Sequence, residues 1–192
     1  MILMKDIIVE GNPILRMEAK DVELPLNEED EKTLREMLEY VDNSCDEEMI
    51  KKFDLRPSVG IAAPQIAISK KLIAIIAPDE HGVEHTFALI NPKLISYSDE
   101  LTYLEGGEGC LSVVRKCDAL IHRPKRVTFE AYFYDYETRK VEKKRMRLKG
   151  YLAVVFQHEF DHLKGILFVD KANPLDPYKV PENSTPVKFD GE

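Results

Sequence analysis

The chain reads as an α+β fold, with antiparallel sheets packed around a central buried helix that carries a His-Glu-x-x-His motif. Two patterns and a size point there. Candidate strands are grouped ahead of one apolar helix instead of alternating with helices, which is the α+β order and not the βαβ one. That helix has apolar residues on both sides: Tyr151, Val154 and Val155 on the histidine face, Leu152, Phe156 and Leu163 elsewhere. A helix apolar all round belongs in the centre of a domain. At 192 residues and 44% hydrophobic content, the chain can bury one sizeable core.

The elements follow in order. Asn27, with Asp30 three residues on, reads as an N-cap. Leu34, Met37, Leu38, Val41, Cys45 and Met49 then recur at spacings of three and four, which predicts an amphipathic helix over 28–50. Strands are expected at Leu72–Ala77, Thr86–Ile90 and Leu94–Tyr97. Residues Val127–Tyr134 alternate, and a turn at Asp135–Thr138 leads to a partner strand through Leu148. Gly165 supplies a left-handed stop after the central helix, and Ile166–Val169 resembles a short strand. Pro174, Pro177, Pro181 and Pro186 predict an irregular tail over about 173–192. With no repeat and no linker, residues 1–192 are expected to form a single catalytic domain.

Charge and cysteine usage narrow the class. A formal net charge of -8 argues against nucleic acid or an anionic membrane as main partner. Lys140, Lys143, Lys144, Arg145 and Arg147 alternate along a strand, so they read as a solvated sheet face. The N-terminal stretch carries Asp6 too early for a signal peptide. No apolar run approaches the roughly 18 residues of a membrane span. The cysteines, Cys45, Cys110 and Cys117, lack a disulfide framework and suggest a reducing compartment. A cytoplasmic monomer is expected.

The chemistry lies in His158-Glu159-Phe160-Asp161-His162. Four residues of helix advance by about 6 Å and leave the two histidines roughly 40° apart on one face. They can clamp a single divalent ion, with Glu159 beside them as a base that is not a ligand. Two surface histidines are the bland alternative, but ionisable groups on a buried helix are costly unless paired or metal-bound. Two histidines leave such a site incomplete. In thermolysin-like enzymes a later glutamate completes it, yet only Glu182 and Glu192 follow, both in the proline-rich tail. Cys110, in Gly106-Gly107-Glu108-Gly109-Cys110-Leu111-Ser112, is the better donor because the glycines permit a tight turn and close approach. Cys117 lacks that setting, and Cys45 belongs to a helix stripe.

Three separated motifs then resemble the peptide deformylase family, in the family's order. They are Ser58-Val59-Gly60-Ile61-Ala62-Ala63-Pro64-Gln65, Glu108-Gly109-Cys110-Leu111-Ser112, and Gln157-His158-Glu159-Phe160-Asp161-His162. Similarity runs from Asp6 through Asp170, and Asp46–Arg56 looks like the insert of the longer subgroup. The chain departs from the family at Ser58, where glycine is usual, and at Val114, where this subgroup commonly carries an acid. The first bears on a local turn, the second on loop anchoring or substrate entry.

The resemblance implies a metal-dependent hydrolase that removes the formyl group from the N-terminal formyl-methionine of new polypeptides, releasing formate. Cys110, His158 and His162 would hold the metal, and Glu159 would carry the proton. Gln65 and the Leu111 backbone N–H would meet the developing oxyanion. Tyr151, Val154 and Val155 lie seven, four and three residues before His158 and would form an apolar pocket for methionine. Gly60 would pair its backbone with the extended peptide. Iron(II) is the implied metal, with zinc, nickel or cobalt as substitutes. Asp161 and Gln157 either orient the histidines or play structural roles. The alternatives are a general metallopeptidase, disfavoured by the missing downstream ligand, and a metal-storing or interaction protein on this scaffold, which would be expected to lose Glu159 or Gln65.

Overall fold

Asn27 caps the first helix, α1 (Glu28–Asn43), its side chain accepting from the Asp30 N–H at 2.8 Å. In the computed structural model, which describes residues 1–191, this helix stops well before residue 50. The Ser44 hydroxyl turns back onto the Val41 carbonyl at 2.9 Å and the backbone N–H of Ser44 onto Tyr40. Asp46 then caps a separate short helix, α2 (Glu47–Phe53), accepting from Glu48 and Met49. Side-chain capping offers the backbone an alternative to continuing the helix, so Cys45 and Met49 fall out of the stripe.

Five antiparallel strands form the main sheet, in the order β1 (Gly60–Ala62), β2 (Leu72–Pro78), β3 (Glu84–Tyr97), β6 (Arg126–Tyr134), β7 (Val141–Lys149). Both faces are covered. Leu72, Ala74, Ala88 and Ile90 pack with Leu34, Met37 and Val41 of α1. Ile73, Ile75, Leu89 and Phe129 pack on the opposite side with Leu152, Val155 and Phe156 of α3 (Gly150–His162). That double coverage explains why β2 is a continuous apolar run and not an alternating one. Phe156 stacks on Phe129 with ring centroids 4.1 Å apart. Truncating such a ring typically costs about 3–5 kcal/mol, so α3 is held firmly against the sheet.

The two strands expected at 86–90 and 94–97 are one strand, β3, interrupted by a bulge. Asn91 sits there at φ 51° and its side chain bonds both the N–H and the carbonyl of Val22 at 2.8 Å. The charged edge strand β7 is solvated as expected, with Arg145 and Lys143 paired to Glu130 and Lys144 to Glu142.

A second sheet orders β5 (Arg123–Pro124), β4 (Leu101–Tyr103) and β8 (Ser184–Pro186). The β4–β8 pair is parallel, so the sheets are not antiparallel throughout, and the tail is not irregular throughout. Beyond β8, Phe189 packs edge-on against Tyr151 at 5.3 Å, and Asp190 pairs with His81 at 2.6 Å. Ile166–Val169 is not a strand either. Residues Phe168–Lys171 make a 3-10 turn, capped by Asp170 accepting from the Leu167 N–H at 2.8 Å, and Leu167 and Phe168 fill a small core with Leu15 and Ile121. Gly165 does adopt the left-handed conformation, at φ +70°, where a Cβ would lie 2.5 Å from the Arg16 backbone.

Candidate metal centre and active site

Three elements converge on one point. α3 presents His158 and His162, with ring centroids 5.2 Å apart. The loop after β4 brings Cys110, whose Sγ lies 3.3 Å from His162 Nε2. The donor atoms of Cys110, His158 and His162 all lie within 4.8 Å of one another, the only such histidine, cysteine and acid cluster among the described residues. One thiol and two imidazoles suit a divalent transition ion, and three protein ligands leave a fourth position open. Cys45 and Cys117 stand outside this group, and Glu182 is exposed in the tail. Glu192 lies outside the described residues.

Glu159 is buried at 5% exposure, and its Oε2 is one of the few buried side-chain atoms without a partner. Burial pushes its carboxyl up to about 7, against the opposing pull of the His158 and Arg123 charges. Gly60 is required beside it, since a Cβ there would lie 2.7 Å from Glu159 Oε1. Gln65 closes the far wall. Its Oε1 accepts from the Ala62 N–H at 2.9 Å, which turns its NH2 toward Cys110 Sγ at 3.5 Å and the Ser112 hydroxyl at 3.3 Å.

These groups line a cleft of about 390 Å³. Gly60, Gln65, Cys110, Leu111, Tyr151, Val154, Val155, His158 and Glu159 all border it. His162, at 1% exposure, lies beneath. A larger groove of about 770 Å³ between α1 and the β6–β7 hairpin holds neither histidine nor cysteine.

Sequence reasoning missed what holds His158. Neither Asp161 nor Gln157 touches a histidine. Gln157 donates to the Pro124 and Ala153 carbonyls, and Asp161 pairs with Arg123 at 2.7 Å. Glu108 does the orienting, its Oε2 lying 2.7 Å from His158 Nδ1, which leaves Nε2 for an ion. Arg123 in turn forks onto Glu108 at 2.6 and 2.9 Å. The available signal was an acid set among glycines two residues before Cys110.

Electrostatics follow from this chain of contacts. Burial disfavours the Glu108 carboxylate, but the Arg123 charge and hydrogen bonds outweigh it and hold the group at about 2. Burial likewise disfavours the His158 imidazolium, yet bonds to Cys110 and Glu108 raise it well above the ordinary range. His162 is pushed well below that range by burial, then by the His158 and Arg123 charges.

Arg123 is therefore expected to matter for stability. Arg123→Leu leaves the buried Glu108 carboxylate with only His158 as its partner and Asp161 with only Lys171 at 3.3 Å, at a cost of about 3–5 kcal/mol by denaturant unfolding. Because the folded-state value of Glu108 lies below its ordinary 4.5, its contribution is present above about pH 4.5 and lost as pH falls toward 2. Glu108→Gln should flatten that part of the stability profile. An unchanged profile would remove Glu108 as its source.

The departures at Ser58 and Val114 have simple settings. The Ser58 hydroxyl donates to the Gly60 carbonyl at 2.6 Å, adding a bond at the strand edge. Val114 is solvent-exposed, and the loop is anchored instead by Arg115 on Glu10 at 2.8 and 3.2 Å.

Known proteins resemble this chain in sequence and in fold. The sequence profile of polypeptide deformylases matches residues 4–178. The chain belongs to that family. Peptide deformylase 2 of Bacillus cereus is 50% identical over 188 residues, 98% of this chain and 100% of the relative. The crystal structure of the Thermotoga maritima deformylase superposes with a TM-score of 0.65 at 34% identity, covering 88% of this chain and 97% of the other. A Met-Ala-Ser-bound deformylase from Acinetobacter baumannii gives 0.66 at 28% identity, covering 86% and 96%. No helix among the described residues is long and apolar enough to cross a membrane.

Proposed function

We propose that Cys110, His158 and His162 hold one divalent metal ion in a single catalytic domain that removes the formyl group from N-terminal formyl-methionine. Water adds to the formyl carbon, the C–N bond breaks, and formate and the free amine leave. The observation that carries this assignment is the convergence of three metal donors with Glu159 and Gln65 on one cleft. The ion, when bound, supplies Lewis acidity toward water and the formyl oxygen.

This chain's own residues do the rest. Glu159 takes the proton from the attacking water and returns it to the leaving nitrogen. A carboxyl raised by burial toward the working pH suits both transfers. Gln65 Nε2 and the Leu111 N–H donate to the oxyanion, each such donor being typically worth about 3 kcal/mol in the transition state. Tyr151, Val154 and Val155 form the apolar wall for the methionine side chain. The Met-Ala-Ser ligand of the Acinetobacter relative supports a peptide that begins with methionine. Gly60 offers its backbone to the extended chain, as an added strand would.

Iron(II) is the proposed resident ion, with zinc, nickel or cobalt as substitutes. One thiolate and two imidazoles accept all four, and availability in the cell decides among them. Nascent chains are the proposed substrates, and a monomer in the cytoplasm the proposed working form. The test is formate release from a formyl-Met dipeptide, with an unformylated dipeptide as control. Equimolar formate and free dipeptide are expected. Cleavage of the unformylated peptide bond would favour a general metallopeptidase instead.

A further inference from the structure

We infer that Arg56 is a positioning residue that aims the Leu111 N–H at the oxyanion; this rests on the deformylase reading above. Arg56 lies in the segment between α2 and β1, exposed on the wall of the catalytic cleft. Its guanidinium donates from one terminal nitrogen to the Leu111 carbonyl at 3.1 Å and from the other to the Cys110 carbonyl at 3.2 Å. These carbonyls belong to the two peptide groups that flank Leu111.

The consequence follows from peptide geometry. In a planar trans peptide the C=O and the N–H point in opposite directions. Fixing the Cys110 carbonyl therefore fixes the Leu111 N–H, which belongs to the same peptide group and points away from the guanidinium. Fixing the Leu111 carbonyl as well restrains the backbone on both sides of that residue. Donation to a carbonyl also polarises the peptide and strengthens its N–H as a donor. Leu111 borders the cleft, and its N–H makes no backbone hydrogen bond among the described residues.

Arg56 is itself well placed to be rigid. Its carbonyl accepts from the hydroxyl of fully buried Tyr40 at 3.1 Å. The preceding Leu55 is buried, and its N–H closes back on Ile50 at 3.1 Å. The α2 segment thus acts on the site through the backbone of the cysteine loop, where a fork of five donors fits two carbonyls better than an ammonium would.

The experiment compares wild type, Arg56→Ala and Arg56→Lys with a formyl-Met dipeptide, recording kcat, KM, bound metal and thermal midpoint. Deleting an oxyanion donor costs about 100- to 1000-fold in kcat. A donor left in place but mis-aimed should cost less, about 10- to 100-fold for Arg56→Ala, with KM within about twofold. Arg56→Lys should recover part of the loss. Bound metal and midpoint should stay at wild-type values, and the ¹⁵N shift of the Leu111 amide in the zinc form should move in Arg56→Ala. Unchanged kcat would overturn the inference. So would a raised KM with kcat intact, which makes Arg56 a peptide contact, or a kcat loss that tracks loss of metal or fold. A wild-type protein that releases no formate would instead sink the deformylase reading.

Discussion

Glu159→Ala should lower kcat by about 100- to 10,000-fold, the range of a positioned acid–base group, while the protein keeps its full complement of metal. The carboxylate is absent from the donor group formed by Cys110, His158 and His162, so its removal leaves every ligand in place. The fold should persist, because Glu159 makes no hydrogen bond to another side chain or to backbone among the described residues. Glu159→Gln should behave alike, since an amide cannot carry the proton. The measurements are kcat on the formyl-Met dipeptide, metal content and thermal midpoint. Loss of metal from Glu159→Ala would contradict the assignment by making Glu159 a ligand.

The same residue shows why part of the site was readable from the chain alone. His158, Glu159 and His162 are local: one helical turn sets their relation, and the all-round apolar run from Tyr151 to Phe156 says the turn is buried. The pocket wall of Tyr151, Val154 and Val155 follows from the same periodicity. Cys110 needed elimination and its glycine setting, and its family motif agreed.

What was not readable depended on partners distant in sequence. Glu108 meets His158 across 50 residues and Arg123 meets Asp161 across 38, so no local pattern pairs them. A buried arginine on a two-residue strand looks like any surface cation until the fold closes over it. The end of α1 was misplaced because the spacing of Cys45 and Met49 continues the stripe, while the Ser44 and Asp46 side chains end it. At 166–169 a four-residue apolar run fits a strand or a buried turn equally. The Asp170 carboxylate capping Leu167 favours the turn. Three residues at 184–186 are too short to show a period, and the edge of β4 recruits them despite Pro186.

Cys110→Ser should lose metal outright. Serine is a poor neutral donor to ions of this class, and altering mere outer partners of a metal ligand already weakens binding by about 10- to 100-fold. Replacing the ligand itself should weaken it more than 100-fold on the same scale, so dialysed protein should emerge nearly free of metal and inactive. Packing should hardly change, because sulfur and oxygen differ little in size and Cys110 stays within the small core of Leu15, Val113 and Ile121. A folded protein without metal is the expected result, distinguished from a collapsed one by its circular dichroism and by recovery of some activity at high added metal. Cys117→Ser serves as the control from the same core, and Cys45→Ser as the control from the rim of the cleft, where its Sγ lies 3.8 Å from the Ser58 carbonyl. Both should retain metal and most activity. If Cys117→Ser strips the metal and Cys110→Ser does not, the thiol donor has been misassigned.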